Sequence, residues 1–208
     1  MKALLIKDYY MIVKYCRLYL LLVAVFLAVS AASPENAFFR FYPSVMLGMI
    51  PMTLMAYDEQ ARWDKYSAGL PITKNQRVSE KYLLGLMMLV VIVLLSVAAS
   101  VIAQARSGGV SVNATLLEAA FICSFALFVP AISLPMLFGF GVEKGRMAIF
   151  VIIGALCALC LIVSRGLSDS IGTELVNNVY LRFVPLAAAI LYAVSWRIST
   201  AVYGRREV

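Results

Sequence analysis

An all-α integral membrane protein is the fold class this sequence predicts, and three observations predict it. Hydrophobic residues make up 63% of the chain and charged residues 14%, well beyond the roughly 45–50% apolar share of soluble domains. Uncharged runs extend over residues 18–34, 41–57, 82–105, 119–142 and 147–164, against the roughly 17–25 apolar residues that a helix needs to cross hydrocarbon. The runs are continuous and do not alternate with period two. Helices, which satisfy their own backbone hydrogen bonds in lipid, are therefore the expected spans, and a β-barrel is not. A shorter run begins at residue 183 and must extend past Arg197 to about residue 203, with the guanidinium reaching back to water. Six transmembrane helices in a single domain, residues 1–208, are expected.

Ahead of the first span, apolar Leu4, Ile6, Tyr10, Ile12 and Val13 interleave with Lys2, Lys7, Lys14 and Arg17. That pattern suits an interfacial helix lying on the inner leaflet. The small residues from Ala28 to Ser33 imitate a signal-peptide cleavage site, but the charged region before them is long and includes Asp8, so a retained span is the better reading. Cations set the orientation. With the amino terminus inside, the outer side keeps only Arg40, Arg106, Arg165 and Arg182 of the 18 Lys and Arg residues, so both termini are expected in the cytoplasm. The net charge of +7 then describes a basic rim against anionic headgroups and makes lipid, not nucleic acid, the expected surface partner.

One long polar stretch, the elbow at 58–81, separates spans two and three. Asp58 is placed to cap a helix start, Arg62 follows four residues later in the favourable acid-first order, and Gly69, Leu70 and Pro71 supply a stop. A surface helix of about three turns is expected. Thr73-Lys74-Asn75-Gln76 matches a capping box, which starts a second helix running through Tyr82 into span three. Trp63, Tyr66 and Leu70, flanked by Asp64 and Lys65, form an aromatic and aliphatic ridge of the composition found at interface centres. Anchoring of the same rings at headgroup level is the alternative.

Span four carries Pro130 and Pro135, which remove backbone donors, and Gly139 and Gly141 permit close approach near its inner end. These four form a candidate conformational hinge, although close packing against small residues accounts for them at least as well. Glu118 reads as a solvated charge at the outer end of that span, and no span carries a mid-depth acid of the kind that relays protons. Cys16, Cys123, Cys157 and Cys160 fall at membrane level or its edge, where a thiol packs as a small hydrophobe. Cys157 and Cys160 have a metal-like spacing, but the chain contains no histidine to join them and no structural disulfide is expected. Asn113-Ala114-Thr115 fits a glycosylation acceptor, a triplet too common to carry weight.

Read in order, a basic amino-terminal helix, two spans, the residues Asp58-Glu59, Trp63-Asp64, Tyr66 and Leu70-Pro71, then Arg77-Val78 and Lys81-Tyr82 before span three, and three further spans make a recognisable series. It resembles the bacterial ATP-binding-cassette type-2 exporter permeases over nearly the whole chain, with the specific residues concentrated in the elbow. The resemblance implies that Asp58, Glu59, Arg62, Trp63, Asp64, Tyr66, Leu70 and Pro71 belong to a coupling helix that docks in a groove of an ATPase subunit. It also implies an external gate formed by a short helical pair within 165–182. A Gly-x-x-x-x-Gly-Lys-Ser/Thr loop is absent from the sequence. The resemblance therefore implies a permease that is not itself an enzyme and holds no cofactor, with ATP and magnesium on a separate ABC ATPase subunit. A second permease copy or a sister permease is implied too, in the bacterial cytoplasmic membrane.

The expected function is outward transport of a hydrophobic or amphipathic substrate, such as a peptide, lipid-like molecule or drug, through a dimer interface. A stand-alone secondary carrier or a membrane assembly scaffold is the alternative, since neither demands a recognisable motif. A membrane-embedded enzyme is disfavoured by the missing histidines and the lack of paired intramembrane acids.

Overall fold

The computed structural model of the chain describes residues 2–32, 37–106, 111–147, 150 and 173–204. These form helices α1 (Lys2–Tyr15), α2 (Arg17–Ala32), α3 (Ala37–Gly48), α4 (Ile50–Gln60), α5 (Trp63–Ala68), α6 (Lys74–Arg106), α7 (Val112–Phe140) and α8 (Thr173–Gly204), and residues 142–147 are helical as well. No strand occurs among the described residues. The fifth span expected at 147–164 lies almost wholly outside them, as do Cys157, Cys160 and the first half of the 165–182 connection.

Among the described residues, three helices are long and apolar enough to cross a membrane, at Lys74–Ala105, Thr115–Phe140 and Phe183–Gly204. The last runs past Arg197, whose side chain is exposed, as its long stem allows. A fourth candidate is the pair α1 and α2, bent by 72° at Cys16. There Arg17 donates its Nε–H to the Val13 carbonyl at 2.7 Å, serving an acceptor at the end of α1. The run at 41–57 is divided between two helices. Pro51 has no N–H to give the Leu47 carbonyl, and the chain breaks at Met49, between α3 and α4. Gly48 lies at this break, where a Cβ would stand 3.3 Å from Val129 Cβ, so α3 and α7 meet closely.

The elbow differs from the expected pair of helices in its first half. Asp58 does not start a helix: α4 continues through it to Gln60, because nothing before Ala61 interrupts the ladder. The turn falls at Arg62, which adopts a left-handed conformation (φ 51°, ψ 37°), uncommon for a side chain with a Cβ. The surface helix is then only α5, six residues. Its second half is as expected. Thr73 N–H donates to Gln76 Oε1 at 3.1 Å while Gln76 N–H donates to Thr73 Oγ1 at 3.3 Å, and α6 runs from this capping box for 33 residues.

Packing brings the ends of the helices into two polar districts. At one end lie α1, the elbow, the 142–147 helix and the carboxyl end of α8. At the other, Gln104 and Thr115 join α6 to α7 at 2.9 Å. Glu118, expected to be a solvated charge, is half-buried there and accepts from Ser100 Oγ at 2.6 Å, since the α6 hydroxyl faces it across the interface. Between the districts, apolar side chains such as Met87, Val90 and Leu94 on α6, and Phe183, Leu186 and Ile190 on α8, face outwards. Such a continuous apolar exterior is costly in water and natural in lipid.

Candidate functional site: a buried charge cluster at the elbow

Lys81 enters the protein at the foot of α6 and is 5% exposed. A buried ammonium needs close acids to hold it. Its Nζ meets Asp8 Oδ2 at 2.7 Å and Asp58 Oδ2 at 2.8 Å, so one cation bridges α1 and α4. Lys7 completes the arrangement from the surface, at 2.9 Å from Asp58 Oδ1 and 3.2 Å from Asp8 Oδ1. The Lys7 ammonium also lies over the Trp63 ring, 4.4 Å from its centroid, a favourable cation–π placement. Glu80 is, like Asp8, a buried acid, near enough to Asp8 and Lys81 to feel both charges. Its Oε1 has no hydrogen-bond partner among the described residues.

Two further bonds tie this cluster to the rest of the molecule. Glu59 Oε2 accepts the Val142 N–H at 2.8 Å, placing a carboxylate at the amino end of the 142–147 helix, where unpaired donors and the dipole favour it. Arg77 donates to the Tyr203 hydroxyl at 3.0 Å, fixing the carboxyl end of α8. A cavity of about 80 Å³ lies among these groups, lined by Asp58, Glu59, Trp63, Arg77, Glu80, Lys81, Gly141 and Tyr203 with apolar neighbours. Gly141 takes φ 83°, a value that favours glycine and turns the chain from α7 into the 142–147 helix.

The structure thus sorts the residues expected to dock. Asp58, Glu59 and Trp63 line the cavity; Tyr66 and Leu70 face outwards, 67% and 36% exposed, and Arg62 and Pro71 are exposed as well. Asp64 lies in α5. The Trp63 and Tyr66 rings remain neighbours, with centroids 5.4 Å apart. Asp58 was expected to pair with Arg62, but both of its oxygens are taken by Lys7 and Lys81.

The hinge candidates divide similarly. Pro130 and Pro135 sit inside a continuous α7, and Gly139 is in ordinary contact with Val202 of α8. Pro135 withholds a hydrogen from the Ala131 carbonyl four residues earlier. Ser195 of α8 supplies one, donating to that carbonyl at 2.6 Å. Because Ser195 has a single hydrogen and uses it there, Tyr82 donates to Ser195 and accepts from Ser199, each at 2.7 Å. Tyr192 in turn donates to the Tyr82 carbonyl at 2.7 Å. The Tyr82 ring stacks on Trp196, 5.6 Å apart and 8° from parallel. This clasp joins α6, α7 and α8 one residue beyond Lys81. Sequence reasoning missed it along with Asp8 and Glu80, although the spacing of Tyr192, Ser195, Ser199 and Tyr203 on one helical face was a signal.

The family described as ABC-2 family transporter protein matches this chain over residues 3–204. The chain belongs to the ABC-2 transporter family. No curated protein and no solved structure matches it. An ABC-2 permease is a multi-pass membrane protein that generally works with an ABC ATPase, and the charge cluster and clasp are accordingly features of a permease.

Proposed function

We propose that this ABC-2 permease is the membrane-spanning subunit of an ATP-driven exporter, coupled through its elbow to a separate ATPase that carries ATP and magnesium. The observation supporting this most strongly is the division of the elbow into two faces. Tyr66 and Leu70 point out of the protein, while Trp63 and the neighbouring Asp58 meet the cluster that joins α1 and α6, and the exposed Glu59 bonds the 142–147 helix. A push on the outer face has a stiff route into the spans, as a switch between two packings requires. On this reading the elbow end is cytoplasmic. Five of the six expected spans are α2, the divided α3–α4, α6, α7 and α8, and the one expected at 147–164 lies almost wholly outside the described residues. A second copy or a sister permease lies against the outward apolar faces, and Pro130, Pro135, Gly139 and Gly141 mark where α7 yields. The cargo is hydrophobic or amphipathic.

The experiment is co-purification of the permease with its candidate ATPase. Combined Tyr66→Ala and Leu70→Ala removes exposed side chains only, so the permease should fold normally and retain several-fold less ATPase. Undiminished retention would show that the partner binds elsewhere.

A further inference from the structure

A second cleft, of about 340 Å³, opens between α2, α4 and the end of the 142–147 helix. Its α4 wall consists of Met52, Thr53, Ala56, Tyr57 and Gln60, one helical face that lies opposite Asp58. The cleft is graded along its length. Met49 and Met52 line one end, and Tyr57 and Gln60 lie towards the elbow, about 16 Å from Met49 along the helix at 1.5 Å per residue. Thr53 is already engaged, its hydroxyl donating to the Met49 carbonyl at 3.1 Å.

The cleft carries a positive side chain. Arg146 lines it, one helical turn beyond the Val142 N–H that Glu59 holds. Arg146 is exposed, and it has no ion pair or hydrogen bond among the described residues. Lys14 is nearby, one ring removed from the wall: its ammonium is 5.3 Å from the Tyr15 ring, which stacks at 4.5 Å on the Tyr57 ring of the cleft wall. Hydroxyl and amide donors from Tyr19, Tyr57 and Gln60 accompany these cations.

We infer that this cleft binds one phospholipid with an anionic headgroup. Its phosphate would accept from Arg146 and the neighbouring donors, and the start of an acyl chain would lie along the adaptable methionines. Arginine's planar fork matches phosphate oxygens two at a time, and thioether side chains accommodate irregular apolar ligands. A cation without a carboxylate in the lining of the cleft favours a net-negative headgroup over a zwitterionic one.

The test is native mass spectrometry of the full-length permease in mild detergent, offered phosphatidylglycerol, phosphatidylcholine or inorganic phosphate. The wild-type chain should retain one phosphatidylglycerol in preference to phosphatidylcholine, and Arg146→Ala should weaken that retention about tenfold, the scale of one lost charge-assisted contact. Arg197→Ala, which removes an exposed cation outside the cleft, should leave retention unchanged. The inference is overturned if Arg146→Ala binds like the wild type or if Arg197→Ala loses as much. It is overturned equally if millimolar inorganic phosphate displaces the lipid, because the site would then read a free anion. Since Arg146 is exposed, its variant should unfold at the wild-type temperature in lipid-free detergent, which separates lost binding from lost structure.

Discussion

Lys81 carries the heaviest electrostatic load of any side chain at the elbow. It is held by Asp8 at 73 residues' separation and by Asp58 at 23, so its removal leaves the buried Asp8 and the part-buried Asp58 with Lys7 alone. Breaking a buried pair from one side costs about 3–5 kcal/mol. Lys81→Met should therefore lower unfolding stability by that amount, measured by denaturant titration in detergent. Asp8→Asn combined with Lys81→Met should cost less than the two single changes added, since the partners interact directly. A fully additive pair would mean that the ion pair contributes nothing. The same distances explain why Asp58 was misread from the sequence. A capping role and an Arg62 partner are what local neighbours offer, whereas the Lys7 that takes Asp58 is 51 residues away. Asp8 and Glu80 were illegible for the same reason: burial of an acid is a property of the assembled helices.

Among the elements, the α6–α7–α8 clasp makes the most specific demands. Gly85 faces Tyr192 so closely that a Cβ would stand 2.7 Å from its hydroxyl oxygen. Gly85→Ala should cost about 1–3 kcal/mol by overpacking. Adding Tyr192→Phe, which deletes the clashing oxygen, should recover part of that loss; a double variant as unstable as the sum would refute the contact. The proline bypass supplies another test. Ser195→Ala should cost about 1–3 kcal/mol by leaving the Ala131 carbonyl unserved. In a Pro135→Ala background the restored backbone N–H takes that role, so the Ser195→Ala penalty should shrink by roughly 1 kcal/mol. Equal penalties in both backgrounds would show that the serine does not replace the missing donor. Legibility at this scale followed locality. The capping box at Thr73 and the extension of the last helix past Arg197 could be read directly, because both depend on residues within a few turns. The division of the 41–57 run was signalled by Pro51 but overridden by its uniform hydropathy.

At the scale of the whole molecule, apolar flanks between two polar ends define a body suited to lipid. One end holds the ion cluster of Lys7, Asp8, Asp58 and Lys81, and the other holds the Gln104–Thr115 and Ser100–Glu118 bonds between α6 and α7. The family and the membrane-spanning class were legible in the sequence because hydropathy and the elbow residues carry them. The inward and outward faces of the elbow were not, since they depend on where α1 and α6 lie against α5. The most direct measurement is photo-crosslinking from position 66, with a crosslinking amino acid replacing Tyr66 in the permease expressed with its candidate ATPase. The account predicts a covalent adduct to the ATPase, strengthened or weakened by nucleotide, and no such adduct from the buried position 54. Adducts to lipid alone from position 66 would contradict it.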